Sequence, residues 1–279
     1  MPSSEATDDI AHEEASPLDP DWRAALAPSP TGAEATLAGR HVAVTRALST
    51  IGRMQASVLT AAGARVTLLD SPTLLADGRD LMRDLPTARF FGVDFKVMAD
   101  AQRAATHLAN DDPVDVLINN VAPEIKLPFR QLSIDDFELQ IHASCTAGFV
   151  MSREIAKGMK PRGRGSIVNL CAATHQGEWN GYVSFAASNG AIVGLTRSLA
   201  RELGGHGIRV NAISVGAVAS RAEIRIFGDR LAEYDAWVIR NQCLKRRICP
   251  EDVAKLVLFL ASECSSMITG QNIILDGGW

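Results

Sequence analysis

The 279-residue chain contains no apolar run long enough to span a bilayer, which argues against a transmembrane helix. Cysteine is scarce, and its residues show no short, regular spacing: Cys145, Cys171, Cys243, Cys249 and Cys264. An odd number of irregularly spaced cysteines argues against a disulfide framework and favours reduced thiols in a cytoplasm. The net charge of −4 gives no reason to expect nucleic acid as a partner.

The N-terminal segment has neither the cationic start nor the apolar core of a signal peptide, so we expect a cytoplasmic protein. Residues 1–36 carry eight acidic residues against one basic residue, Arg23, which gives a local net charge of −7. This composition, with five prolines, is typical of a disordered, solubilising tail. The alternative is an arm that orders against a neighbouring subunit, because PLDPDWRAALAP forms a short amphipathic stretch.

Apolar runs that end in polar turns alternate with helical periodicity from residue 38 onward. The runs typical of buried strands are RHVAVTRA, RVTLLD, VDVLINN, SIVNLCA and IRVNAISV. The segment between the first two has apolar residues at helical spacing: Ile51, Met54, Val58, Leu59 and Ala62. Strands that alternate with helices predict parallel βαβ units. We therefore predict an α/β fold: a doubly wound, mostly parallel Rossmann-type sheet with helices on both faces, in a single domain over residues 37–279.

Four motifs follow one another in a familiar order. INNVA resembles an NNAG motif, GSIVNL a fifth strand, RVNAISVGAV an N-x-I-x-P-G segment, and GQNIILDGGW a C-terminal strand. In this order and spacing they resemble the short-chain dehydrogenase/reductase family, and the resemblance covers residues 38 to 279. It implies a nicotinamide dinucleotide at the carboxyl ends of the strands. Function still has to be argued from the site itself.

The resemblance places the dinucleotide loop at residues 45–52, where the family pattern is T-G-x-x-x-G-x-G. The segment reads TRALSTIG, so Thr45 and Gly52 are kept while Arg46 and Thr50 replace two glycines. A side chain at Thr50 would project toward the phosphate position at the helix N-terminus. We therefore expect no bound cofactor, and NAD if any nucleotide binds.

Three further residues stand at family positions for the cofactor, alongside Gly52. Asp70 closes the second strand, where the resemblance implies an acid that holds the adenosine ribose hydroxyls of NAD. Asp94 and Asn119 also match. The alternative is that these residues are vestigial, retained by the scaffold as capping and turn residues.

The family's catalytic asparagine, serine, tyrosine and lysine are all replaced. The resemblance places these positions at Cys145, Ala172, Phe185 and Asn189. Phenylalanine cannot transfer a proton, and an amide carries no charge. A positioned acid or base contributes about 10² to 10⁴-fold in rate, so this loss predicts a chain without redox activity on its own.

Two other chemistries are open. Tyr182 lies one helical turn before Phe185 and could act as a displaced acid or base, although no neighbouring cation is evident in the sequence. The second is a zinc site, because two thiols and two imidazoles could converge on one ion. The candidate ligands are His142, Cys145, Cys171 and His175, followed by Glu178. These spacings match no established ligand pattern, so we predict no metal site.

The helices predicted near 134–158 and 185–203 keep many small residues that let helices approach closely. In the family these helices pack against a neighbouring subunit. We therefore predict a noncatalytic subunit that supports an active short-chain dehydrogenase homologue, in a homo- or hetero-oligomer that is tetrameric. The alternative is an NAD(P)-dependent oxidoreductase with a rearranged active site, or a non-redox enzyme that uses the same pocket. No membrane partner is expected.

Overall fold

Seven parallel strands form one sheet in the computed structural model, which describes residues 35–120, 125–173 and 180–279. The strands are β1 (His41–Thr45), β2 (Arg65–Asp70), β3 (Arg89–Gly92), β4 (Val116–Asn119), β5 (Gly165–Ala172), β6 (Ile208–Val215) and β7 (Asn272–Leu275). Their order is β3-β2-β1-β4-β5-β6-β7, and every pair is parallel. The order reverses between β1 and β4, which is where ligands bind in such sheets.

The helices connect successive strands. They are α1 (Thr50–Ala61), α2 (Leu75–Asp84), α3 (Met98–Asn110), α4 (Ile134–Ile141), α5 (Ala147–Met159), α6 (Val183–Leu203), α7 (Arg221–Phe227), α8 (Leu231–Asn241) and α9 (Pro250–Ala261). A π-helical turn, His142–Thr146, joins α4 to α5. Single π turns inside helices frequently mark functional sites, and this one contains Cys145.

Two apolar clusters cover the two faces of the sheet. One contains residues of α1 and α9, such as Leu59 and Val257, packed on Val44 and Leu68. The other contains residues of α3, α5 and α6, packed on Leu117 and neighbouring strand residues. The predicted doubly wound α/β sheet with helices on both faces is confirmed.

The chain enters the fold just before β1. Leu37 is buried, and its backbone N–H donates to the carbonyl oxygen of Ala62 at 2.8 Å. Residues from Ala35 to the C-terminus form one compact unit. The predicted acidic arm lies almost wholly outside the described residues. None of the described helices is long and apolar enough to cross a membrane.

Candidate active site

A narrow cleft of about 20 Å³ opens at the carboxyl ends of β1, β4 and β5. Its walls come from the turn after β1, the ends of β4 and β5, the π-helical turn and the middle of α6. Parallel strands bring their carboxyl ends to one edge, which is why residues distant in sequence meet here. The cleft coincides with the cofactor position that the sequence predicts.

Two amides dominate the floor of the cleft. Asn119 donates through Nδ2 to Asn169 Oδ1 at 2.9 Å and to Ser152 Oγ at 3.1 Å. Asn120 donates through Nδ2 to the carbonyl oxygen of Thr45 at 2.6 Å and to Gln55 Oε1 at 2.9 Å. The other amide atom, Oδ1, is buried in both residues and has no hydrogen-bond partner among the described residues. Unsatisfied buried acceptors are costly, and a ligand hydroxyl or N–H would satisfy them.

The turn between β1 and α1 departs from a glycine-rich phosphate loop. Arg46 adopts a φ of 47°, a left-handed conformation that glycine would adopt without strain. Ser49 caps α1 by accepting the Gly52 N–H at 3.0 Å. The glycine at position 52 is required, because a Cβ there would lie 2.4 Å from the carbonyl oxygen of Arg46. Thr50 Oγ1 accepts the backbone N–H of Arg221 at 3.3 Å, so the start of α7 lies over this turn.

The two acidic positions differ in their surroundings. Asp70 is buried at the end of β2 and accepts the N–H of Leu48 at 2.9 Å and that of Ser71 at 2.9 Å. It thereby holds the turn between β1 and α1 against β2. Asp94 accepts the N–H of Lys96 at 2.9 Å and acts as a turn residue, as the alternative interpretation predicts.

Three of the four replaced catalytic positions meet at the start of α6. Asn189 is fully buried, accepts the N–H of Ala172 at 2.7 Å and donates to the carbonyl oxygen of Phe185 at 2.7 Å. The amide therefore ties the end of β5 to the first turn of the helix. Phe185 is also buried. Neither side chain offers a proton or a charge to a substrate.

The thiols near the cleft are poor nucleophiles. Cys145 lines the cleft, and burial raises the pKa of its thiol. Burial raises the pKa of Cys171 to about 11, opposed by its hydrogen bond with Ser214. The Cys171 Sγ lies 3.1 Å from Ser214 Oγ on β6, and Cys145 packs against the small apolar cluster that contains Cys171.

No group of three potential metal ligands converges among the residues that the structure describes. His175 and Glu178, the other ligands considered for zinc, lie outside those residues. The metal hypothesis therefore gains no support from the described part of the chain.

Tyr182 has a cationic neighbour that the sequence did not reveal. Its ring centroid lies 5.9 Å from that of Phe185, and Lys126 Nζ lies 5.1 Å from the Tyr182 centroid. Tyr182 immediately precedes α6. The expectation that this tyrosine lacks a nearby cation is wrong. The lysine comes from a loop 56 residues earlier in the chain, and no local spacing pairs the two.

A buried glutamine holds that loop. Gln140 on α4 accepts the backbone N–H of Ile125 at 3.0 Å and donates to Ser144 Oγ at 2.9 Å. On the other side, the Leu127 N–H donates to the carbonyl oxygen of Gly181 at 2.9 Å. The backbone on either side of Lys126 is therefore anchored. Gln140 is fully buried, and nothing in the sequence marked it for this role.

The cleft suits a dinucleotide beside Asn119 and Asn120, but it is crowded beside Arg46. The unpartnered amide oxygens of Asn119 and Asn120 suit ligand donors. Arg46 lines the other half of the cleft and takes up space where a glycine-rich turn would leave room for a phosphate; burial lowers its pKa, while the charge of Asp70 raises it. The cleft holds only about 20 Å³, which is far less than a dinucleotide occupies.

Comparison with known proteins gives a consistent result. A family model described as enoyl-(acyl carrier protein) reductase matches residues 47–279. The chain is 33% identical over 263 residues to xanthoxin dehydrogenase of Arabidopsis thaliana, covering 87% of this chain and 90% of that protein. It is 30% identical over 250 residues to gluconate 5-dehydrogenase of Gluconobacter oxydans, covering 87% and 95%.

Solved structures agree with the curated relatives. A Beutenbergia cavernae protein, described as an NAD(P)-dependent gluconate 5-dehydrogenase with bound NADP, superposes with a TM-score of 0.82 at 30% identity. The match covers 88% of this chain and 98% of that one. A short-chain dehydrogenase/reductase family protein gives a TM-score of 0.79 at 29% identity. The chain belongs to the short-chain dehydrogenase/reductase family.

Proposed function

We propose that this chain is an NAD(P)-linked oxidoreductase with a rearranged active site, in which Tyr182 takes the proton-transfer role. The contact between Lys126 and Tyr182 is the observation that carries this proposal. The sequence predicts a chain without a cofactor, and this expectation finds no support among the relatives, which include dehydrogenases and an NADP-bound structure. The oxidoreductase interpretation accounts for both the relatives and the contact.

In this proposal each residue has a distinct part. A bound nicotinamide would supply or accept the hydride. The Tyr182 hydroxyl would hold or receive the proton of the substrate oxygen, and Lys126 would favour loss of that proton, because a nearby positive charge stabilises a phenolate. Gln140 would position Lys126 by holding the backbone of Ile125.

The relatives suggest where to look for a substrate. They include enzymes named for gluconate, D-threitol and L-xylulose, all of which are polyhydroxylated. Such compounds present a secondary alcohol or a ketone beside further hydroxyls. We therefore propose a small hydroxylated alcohol or ketone as the substrate class, with NAD or NADP as the cofactor.

A second candidate is a noncatalytic subunit that supports an active homologue in a tetramer. The hydrogen bond from the Ala172 N–H to Asn189 favours it, because these residues stand where the resemblance places the catalytic serine and lysine and now bond to each other. An open face on α6 also favours it: a Cβ at Gly190 or Gly194 would meet nothing within 4 Å, leaving room for a neighbouring helix. The acidic residues 1–36 could add specificity for a basic partner.

One pair of experiments separates the two candidates. The purified chain is assayed with both nicotinamide cofactors against a panel of polyols and ketoses, and native mass spectrometry records what co-purifies from the source. Cofactor-dependent turnover that Tyr182→Phe abolishes supports the oxidoreductase. An inert chain found in a mixed oligomer with a homologue that has the intact Tyr-x-x-x-Lys pair supports the noncatalytic subunit.

A further inference from the structure

A second, larger cleft lies at the opposite end of the sheet from the cofactor cleft. Its volume is about 330 Å³, and its lining includes the first residues of three strands: Val116 of β4, Gly165 of β5 and Ile208 of β6. Ligands of doubly wound sheets bind at the carboxyl ends of the strands. This amino-end cleft, which we name the basal cleft, therefore belongs to no part of the proposed active site.

Arginines outnumber acids around the basal cleft. Arg40, Arg162 and Arg164 all approach one oxygen of Asp115, with guanidinium-to-Oδ1 distances of 3.8, 3.3 and 3.6 Å. The other Asp115 oxygen accepts the N–H of His41 at 2.9 Å. Asp115 is buried, and one carboxylate cannot neutralise three guanidinium groups.

Arg209 and Glu263 do not remove the excess of positive charge around the basal cleft. Arg209 also lines the cleft, where its guanidinium donates to the carbonyl oxygens of Leu260 and Ser262 and to Ser265 Oγ. Glu263 pairs with Arg40 at 3.0 Å, but its side chain is 79% exposed, so solvent screens the pair. Three arginines line the cleft together with two carboxylates, and Arg162 adds a fourth guanidinium group at Asp115 without lining the cleft itself. Two positive charges are therefore unbalanced around the cleft.

Glycines keep the cleft open between these charges. The backbone turns at Gly163 and Gly207, both with φ between 60° and 70°, cross so closely that a Cβ at Gly207 would lie 2.1 Å from the Gly163 carbonyl oxygen. A Cβ at Gly163 or Gly204 would meet nothing within 4 Å. The cleft is therefore walled by backbone on one side and open to solvent on the other. Bare backbone beside cationic side chains is a common setting for anions.

We infer that the basal cleft binds a polyphosphate group, as carried by a nucleoside diphosphate or by pyrophosphate. The planar guanidinium fork matches phosphate oxygens in pairs, and two surplus charges suit a ligand with more than one negative charge. The cleft volume falls in the range of small-molecule sites. Arg164 is the best placed to bind, because its side chain is 57% exposed and contacts Asp115 only at 3.6 Å.

Calorimetry with inorganic pyrophosphate on the full chain tests this inference. Pyrophosphate should bind, and Arg164→Gln should weaken binding by about tenfold, because it removes a charge-assisted contact. The matched control is Arg83→Gln on α2, which removes the same charge from a side chain that is 79% exposed and does not line the cleft. The control should bind like the wild type.

Three results would overturn the inference. Pyrophosphate could give no binding heat with the wild-type chain. Arg164→Gln and Arg83→Gln could weaken binding equally, which would show general attraction to a charged surface. Arg46→Gln could abolish binding while Arg164→Gln leaves it intact, which would place the anion in the cofactor cleft. Thermal melting of each variant checks that the fold is kept.

Discussion

The side-chain oxygen of Asn189 accepts a hydrogen bond from the backbone N–H of Ala172 at 2.7 Å. The sequence resemblance places the family's catalytic lysine and serine at these two positions. The amide nitrogen of Asn189 donates to the carbonyl oxygen of Phe185, so one buried side chain satisfies two backbone groups. The Asn189 side chain therefore holds the end of β5 to the first turn of α6.

Replacing this amide should destabilise the fold. Asn189→Ala removes the side-chain acceptor of the Ala172 N–H and one of two side-chain donors to the Phe185 carbonyl oxygen, the other being Ser188 Oγ. We expect the free energy of unfolding to fall by about 1–3 kcal/mol, the usual cost of unsatisfied buried groups. Urea denaturation measures this change. Arg201→Ala, an exposed position on the same helix, should change it by less than about 0.5 kcal/mol. Equal stability of Asn189→Ala and wild type would contradict the structural role.

Glycines in the turn between β1 and α1 should improve nucleotide binding. Arg46→Gly removes a left-handed arginine, and a non-glycine residue in that conformation costs about 1–2 kcal/mol. Combined with Thr50→Gly, it clears the path of a phosphate. We expect NADP(H) affinity to rise by about tenfold, corresponding to about 1.4 kcal/mol.

Calorimetry with both nicotinamide cofactors measures this affinity, and Gly52→Ala is the contrasting variant. Its Cβ would clash with the Arg46 carbonyl oxygen, so it should lower both stability and affinity. Unchanged affinity in the double glycine variant would show that the turn does not limit nucleotide binding.

The buried histidine of β1 makes stability depend on pH. His41 lies 3.2 Å from the Pro113 carbonyl oxygen through Nδ1 and 2.7 Å from Thr67 Oγ1 through Nε2. Burial is the main cause that lowers its pKa; Asp112, which faces it, raises the pKa, and Arg65 lowers it. The unfolded chain therefore takes up this proton more readily than the folded chain. Stability should be complete near neutral pH and fall as the pH drops below about 6.5.

Thermal melting between pH 7.5 and pH 5 tests this dependence. His41→Gln should flatten the curve, because it removes the buried imidazole whose pKa is lowered. The hydrogen bond from Arg65 is the main cause that lowers the pKa of Asp112. The stability that ionised Asp112 contributes is therefore lost only at more acidic pH, outside the range in which His41 takes up its proton. A slope that persists in His41→Gln would assign the effect to other groups.

Most of the fold could be predicted from local pattern. The run RVTLLD became β2 with the predicted bounds, because a buried parallel strand needs an unbroken apolar run. The helix after β1 ends before Gly63, which has a φ of 90°. The π-helical turn at His142–Thr146 was not predicted, because it differs from α-helix by one residue per turn and leaves the apolar period almost unchanged.

The candidate site was predicted in part. Asn189, Phe185 and Ala172 meet as the family resemblance implies, but the hydrogen bonds among them depend on side-chain orientation that no motif encodes. The Lys126–Tyr182 contact depends on how Gln140 holds a loop, and this requires three distant segments to pack together. Long-range polar contacts of this kind leave no periodic signal in a single sequence.

Lys126 should affect the rate and its pH dependence without transferring the proton itself. Lys126→Met keeps the length of the side chain and removes its charge beside Tyr182. We expect turnover to fall by about tenfold, a change of 1.36 kcal/mol in the barrier, and the rise of rate with pH to move to higher pH. A pH–rate profile measures both effects, and Lys157→Met, on α5 and paired with Glu154, is the control. An unchanged profile in Lys126→Met would remove the lysine from the mechanism.

Tyr182→Phe tests the central claim most directly. Cofactor-dependent turnover of polyols and ketoses is measured for the wild type, for Tyr182→Phe and for Phe185→Ala under the same conditions. If Tyr182 transfers the proton, Tyr182→Phe should lose about 10² to 10⁴-fold in rate, the contribution of a positioned acid or base. Phe185→Ala should retain measurable turnover, because its ring supplies packing and no proton. Turnover that is undiminished in Tyr182→Phe, or absent from the wild type across the whole panel, would contradict the rearranged active site.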